Sequence, residues 1–240
     1  MIASLMMYLR PETAAATARY WALIRDGLRA RGVVAPEGLD NAREEFAVWK
    51  ARDLTLSQTC GMPYRLWLHD HVTLIGTPDF AVEGCPPGYY HSVFVVRAND
   101  PRETISEFRA ARFTYNQTFS QSGYAAAYAH CSAEGFWFAD RSQSHGHRNS
   151  AKTVAEGRAD IAALDGVSWR LIQRCDAFAG GLRVLETTTP TPGLPYIAAA
   201  DTDREATFAA VRDATVGLTP EDAATLGLRG LVEIPKSAYL

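Results

Sequence analysis

Thr118-Phe119-Ser120-Gln121-Ser122-Gly123-Tyr124 follows a strand-like run and opens directly into the alanine-rich segment from Tyr124 to His130. A helix start leaves about four backbone N–H groups without internal partners and carries roughly half a positive charge, so it suits an anion. Ser120 and Ser122 add hydroxyl donors, and Gly123 allows close backbone approach to whatever is held. The stretch contains no lysine or arginine, so binding here would rest on neutral dipoles rather than ion pairs. Ser120 read alone is equally well an ordinary N-cap.

The chain around it has 240 residues, 47% hydrophobic and 21% charged, which is ordinary for a folded globular protein and leaves room for one domain or two small ones. A formal net charge of -3 and the lack of any basic run argue against a nucleic-acid partner, so an anion site must be local. No apolar run approaches the ~20 residues that span a bilayer. Met1 to Arg10 lacks a basic leader, an adequate hydrophobic segment and a cleavage site, an expectation of a cytoplasmic protein or of a mature or truncated form. The four cysteines, at 60, 85, 131 and 175, form no Cys-x-x-Cys, which argues against structural zinc; Cys60 and Cys85 are the pair that could bridge. Nothing in the sequence calls for a cofactor or a metal.

Strand and helix signals alternate nearly throughout. Ile2 to Tyr8 reads as a buried strand and Pro11 to about Arg31 as a helix closed by Gly32. A second helix is expected around Asn41 to Arg52, then a strand at Leu54 to Ser57 ending in Ser57-Gln58-Thr59-Cys60-Gly61, another polar helix entry. Val72 to Thr77, Tyr89 to Arg97, Arg112 to Tyr115, Phe136 to Phe138, Ala159 to Leu164, Leu182 to Glu186, Tyr196 to Ala200 and Leu231 to Ile234 read as strands. Helices are expected at Pro101 to Phe108, Asn149 to Gly157, Gly166 to Cys175, Asp201 to Val216 and Thr219 to Leu226. The alternation predicts an α/β chain with mostly parallel strands in two sheets, and Asp165 at the carboxyl end of one of them, where open α/β sheets place ligands.

Leu56 to Gly61, Gly88-Tyr89-Tyr90-His91-Ser92-Val93, Ser120-Gln121-Ser122-Gly123-Tyr124, Gly157 to Asp165 and Thr189 to Tyr196 together resemble the phosphonate-type periplasmic substrate-binding proteins of ABC transporters, a group with sulfonate-binding and transferrin-like members. The resemblance covers essentially the whole chain. It implies a type II periplasmic-binding-protein fold: two α/β lobes, 1–88 with 193–240 and 89–192, joined by two crossing strands with the ligand in a cleft between them. In such relatives a Ser-Thr-Ser-Gly turn holds the phosphonate oxygens. The matching positions are Ser120, Gln121, Ser122 and Gly123, with the threonine replaced by glutamine. Carried over in the same way, His147 and Asp165 would set specificity, Asp165 reading the far end of the ligand. Ser57, Gln58 and Thr59 would form an opposing wall, Tyr90 would line the cleft, Tyr124 belongs with the serine turn, and Tyr8 is a weaker candidate.

The resemblance also implies a small oxyanion ligand, a membrane permease as partner, a monomer, and a periplasmic location. Two other readings remain open. One is a cytoplasmic enzyme of the same fold acting in cofactor biosynthesis, and the other a ferric-ion binder using Tyr89, Tyr90, His147 and Asp165. A nucleophile–base–acid set of Ser122, His147 and Asp165 has the right residue types, but Gly-x-Ser-x-Gly is absent. His145-Gly146-His147 and His69-Asp70-His71 look metal-like, although residues two apart face the same way only on a strand.

Overall fold

The longest helix, Pro11–Ala30, shows how local sequence builds this chain. Pro11 occupies the first helical position, where its missing N–H costs nothing. Tyr20, Trp21, Ile24 and Leu28 recur at helical spacing and are buried. The end is a Schellman closure: Val33 N–H donates to Leu28 O and Gly32 N–H to Arg29 O, each at 3.0 Å, with Gly32 left-handed at φ 77°.

The computed structural model describes all 240 residues and divides into two compact units, Met1–Tyr89 with Pro192–Leu240, and Tyr90–Thr191. In the first unit a five-stranded sheet runs in the order Ile2–Ser4, Leu54–Gln58, Tyr196–Ala199, Val72–Asp79, Gly230–Val232. Its faces alternate as the pleat requires. Tyr196 and Ala198 join the core beneath Pro11–Ala30 and Arg204–Val216, while Ile197 and Ala199 pack with Trp49, Tyr64 and Leu68 on the other side.

The second unit has its own five-stranded sheet: Arg141–Gln143, Phe113–Tyr115, Ile161–Asp165, Ser92–Arg97, Leu182–Thr187. Val93, Val95, Ala162 and Leu164 face one core with Val154, Trp169 and Ile172. Phe94, Val96, Ile161 and Ala163 face the other, with Phe108, Phe113 and Phe138.

Both sheets are mixed rather than mostly parallel. Tyr196–Ala199 runs antiparallel to both neighbours, Gly230–Val232 is antiparallel to Val72–Asp79, and Ser92–Arg97 is antiparallel to both of its neighbours. An apolar run buried on both faces reads the same in either direction, so residue pattern could not decide this. Other elements also differ from expectation. The first strand ends at Ser4, and Tyr8 sits at φ 63°. The strand expected from Tyr89 to Arg97 breaks at His91, whose carbonyl accepts from Gly166 N–H at 3.1 Å. Phe136-Trp137-Phe138 is not a strand; the edge strand is the exposed Arg141–Gln143, and Phe138 stacks on Phe113 with ring centroids 4.6 Å apart. The expected helices at Asn41 to Arg52 and Pro101 to Phe108 shorten to Glu45–Trp49 and the single turn Ile105–Phe108. None of the four cysteines is in a disulfide, so Cys60 and Cys85 are not bridged, and no helix is long and apolar enough to cross a membrane.

Candidate functional site

In the second unit, Ser120 has an extended backbone and its Oγ accepts from Gly123 N–H at 3.0 Å, the geometry of an N-cap. The helix it caps begins as a wide π turn, Gln121–Ala125, and continues as an α-helix over Ala126–Ala133. Ala125 N–H, rather than that of Tyr124, returns to Ser120 O at 3.0 Å. The wider turn therefore moves the first intrahelical bond one residue along and adds an amide to those that precede it.

The hydroxyls are held by neighbours from other elements. Ser120 and Ser122 are 3% and 2% exposed, and their Oγ atoms lie 3.5 Å apart. Ser122 Oγ is 3.1 Å from Nε2 of His147, the first residue of the helix His147–Ala155. Ser92 Oγ donates to Ser122 O at 2.9 Å and ties the turn to a central strand. Burial pushes the His147 imidazole down to about 4, with the Ala163 carbonyl partly offsetting the effect, so the ring is neutral at physiological pH. Gly123 is required by space rather than by φ. A β-carbon there would stand 2.0 Å from Asn116 Oδ1 and 3.3 Å from His147 Cε1.

The structure thus brings Ser120, Ser122, Gly123 and His147 together. Gln121 is buried in the same turn, and Tyr124 packs edge-on against Tyr115 and Trp137 at 5.0 and 5.5 Å. Asp165 ends its strand as expected, buried, with Oδ1 accepting from Ser168 N–H at 2.9 Å as the cap of Gly166–Cys175. Tyr90 is buried at the start of the unit. Asn116 went unmarked by sequence reasoning, and Ser92, although part of the Gly88–Val93 motif, was not named as a site residue. The only cue was a polar residue at the end or start of a strand.

In the first unit, Ser57 is fully buried and its Oγ has no hydrogen-bond partner. Gln58 is committed to structure: Nε2 donates to Leu194 O at 3.0 Å and its carbonyl accepts from Trp49 Nε1 at 3.1 Å. Thr59 N–H donates to Pro195 O at 3.0 Å, and its hydroxyl reaches only the Cys60 carbonyl, at 3.5 Å. Tyr8 rests edge-on against Phe80, ring centroids 5.0 Å apart. His145 is exposed and left-handed at φ 63°, its Nδ1 3.2 Å from Gln143 Nε2, so it does not act with His147 as a pair. No group of three or more His, Cys, Asp or Glu side chains is placed to hold a metal ion.

Solved structures share this architecture, although at sequence identities that speak to fold alone. PhnD1 from Prochlorococcus marinus in complex with methylphosphonate superposes with a TM-score of 0.73 at 15% identity, over 99% of this chain and 93% of that one. A binding protein component of an ABC phosphonate transporter from Pseudomonas aeruginosa gives 0.72 at 15%, over 100% and 82%. A Xanthomonas citri protein bound to ATP gives 0.69 at 15%, over 99% and 91%. The fold is that of the periplasmic binding proteins, in agreement with the class expected from sequence. Residues 58–239 match the family model for the phosphonate periplasmic substrate-binding protein of ABC transporters, and the chain belongs to that family. No curated protein matches the sequence. Members of the family are periplasmic substrate-binding components of ABC importers, working with membrane components rather than catalysing a reaction.

Proposed function

We propose that this chain binds a small oxyanion, a phosphonate, phosphite or phosphate-like compound, at the helix start Ser120-Gln121-Ser122-Gly123, and delivers it to a membrane permease. The observation that carries the reading is the Ser120–Ser122–His147 cluster, set on a helix whose opening turn holds no lysine or arginine. Backbone amides and hydroxyls there can hold an anion through hydrogen bonds to its charge, worth about 1.5–3 kcal/mol each. Neutral donors also release the anion more readily than a buried ion pair would. The methylphosphonate bound by the Prochlorococcus relative supports the ligand class. Tyr90, His147 and Asp165 of the same unit are proposed as specificity residues.

Isothermal titration of the intact chain with methylphosphonate, phosphite and phosphate tests this. Saturable binding of at least one is expected, with the ligand recovered unchanged. Ser122→Ala should weaken it by about 10- to 100-fold, the loss of one hydrogen bond to a charged group. Equal affinity in Ser122→Ala, or turnover of the ligand, would remove the basis of the proposal.

A further inference from the structure

The arginine beside the candidate site is already committed. Arg148, beside His147, pairs with Asp176 at 2.7 Å and lies over the Phe178 ring. A second negative charge on a ligand here would therefore lose its water with only dipoles to replace it, which is costly.

Not every group at the turn is a donor. Asn116 Oδ1 is buried, has no hydrogen-bond partner, and fills the place where a side chain on Gly123 would begin. An amide oxygen can only accept. The Ser122–His147 pair shares one hydrogen between Oγ and Nε2, so it can present either a donor or an acceptor to a ligand. A bare anion oxygen set against a buried acceptor is repelled, whereas an oxygen that carries its own hydrogen is bound.

We infer that the turn takes its ligand as a singly charged acid, with Asn116 Oδ1 accepting a hydrogen bond from the ligand's own hydroxyl. This rests on the oxyanion reading above and narrows it. The class is the monoanion of a phosphonic or phosphorous acid, R–PO2(OH)−. The fully ionised dianion and the sulfonates, R–SO3−, lack the required hydrogen. The other titratable groups on the elements around the turn are held as follows: His91 is pushed below its usual value by burial, Asp165 caps its own helix, Tyr124 lies in an aromatic cluster, and His145, whose backbone N–H donates to Asn116 O, is exposed beside Gln143.

Methylphosphonate and methanesulfonate make the test, titrated into the intact chain at mildly acidic and at alkaline pH. At mildly acidic pH each carries one negative charge and they differ in the hydroxyl. The expected result is about tenfold or more tighter binding of methylphosphonate there, the worth of one hydrogen bond to a charged group. That affinity should weaken by a similar factor at alkaline pH, where the second proton is gone. Asn116→Ala should bring the two ligands to within about threefold of each other, and Asn116→Asp, which keeps an acceptor in place, should preserve the preference. Equal binding of methanesulfonate, or methylphosphonate affinity that rises with pH, overturns the inference. Either result leaves the anion site standing if Ser122→Ala still weakens both ligands. Binding of neither anion at any pH overturns both.

Discussion

Replacing Gly123 by alanine sets two effects of opposite sign against each other. Gly123 has no positive φ and lies within a helical turn, so alanine should favour the helix by about 0.5–1 kcal/mol. Space argues the other way. The new methyl would stand 2.0 Å from Asn116 Oδ1 and 3.1 Å from its Cγ, with His147 Cε1 at 3.3 Å. Asn116 is anchored at its backbone, where its carbonyl accepts from His145 N–H at 2.9 Å, so the clash has to be relieved by rotation of its side chain. Forced overpacking of this kind costs about 1–3 kcal/mol, which exceeds the propensity gain. The net expectation is a loss of about 1–2 kcal/mol, or a Tm lower by several degrees in a chain of this size. Two units allow more than one unfolding transition, so the transition to follow is the one that methylphosphonate shifts. Displacing Asn116 and His147 should also weaken methylphosphonate binding by about tenfold or more by titration calorimetry. Gly180→Ala is the matched control, since nothing lies within 4 Å of its β-carbon position and neither readout should move. Asn116→Ala combined with Gly123→Ala should recover much of the lost stability. Wild-type stability and affinity in Gly123→Ala would show that the close approach of Asn116 to the helix start is not real.

The folded-state pKa of His147 lies below the ordinary histidine value, near 4, because of burial. A neutral buried histidine of this kind contributes stability that is fully present above about pH 6.5 and is lost as pH falls toward the folded value. Urea melts at pH about 7 and about 5 should therefore show a larger loss for the wild type than for His147→Gln, and equal losses would contradict the burial. Tyr239 OH lies 2.6 Å from Thr77 Oγ1 and donates to Gly193 O at 3.0 Å. Tyr239→Phe leaves both buried partners short of a bond and should cost about 1–3 kcal/mol by denaturant titration; a neutral substitution would refute that pairing. A thiol titration in denaturant should count four free cysteines, and two would reveal a Cys60–Cys85 bridge that the structure does not contain.

Elements whose limits are set by neighbouring residues were legible in the sequence. Pro11 and Gly32 bracket the first long helix, and Gly166 to Cys175 was readable because Asp165 caps it within the same stretch. Ser120 was legible as a helix cap for the same reason: its partner, Gly123 N–H, is three residues away. Strand direction was not legible. Val93 to Val96 is buried on both faces, and such a run carries no mark of which way its neighbours run. Phe136 to Phe138 misled because short aromatic runs fill cores whether or not their backbone pairs, and Phe138 is bound by ring stacking.

Sequence alone thus determined the family, from motifs spread along the chain, and the α/β class and the polar helix entry at Ser120, which depend on residues close together in it. Tertiary structure alone decided what surrounds that entry. His147 lies 25 residues from Ser122 and Ser92 lies 30 residues away, and hydrogen bonds of 3.1 and 2.9 Å form only once the sheet has set their elements side by side. Asn116 is close in sequence, but its role depends on the missing side chain of Gly123 leaving room for a carbonyl oxygen. Local bonding preferences can be read from a string of residues; which distant side chains share a few ångströms of space follows from packing, and packing belongs to the folded chain.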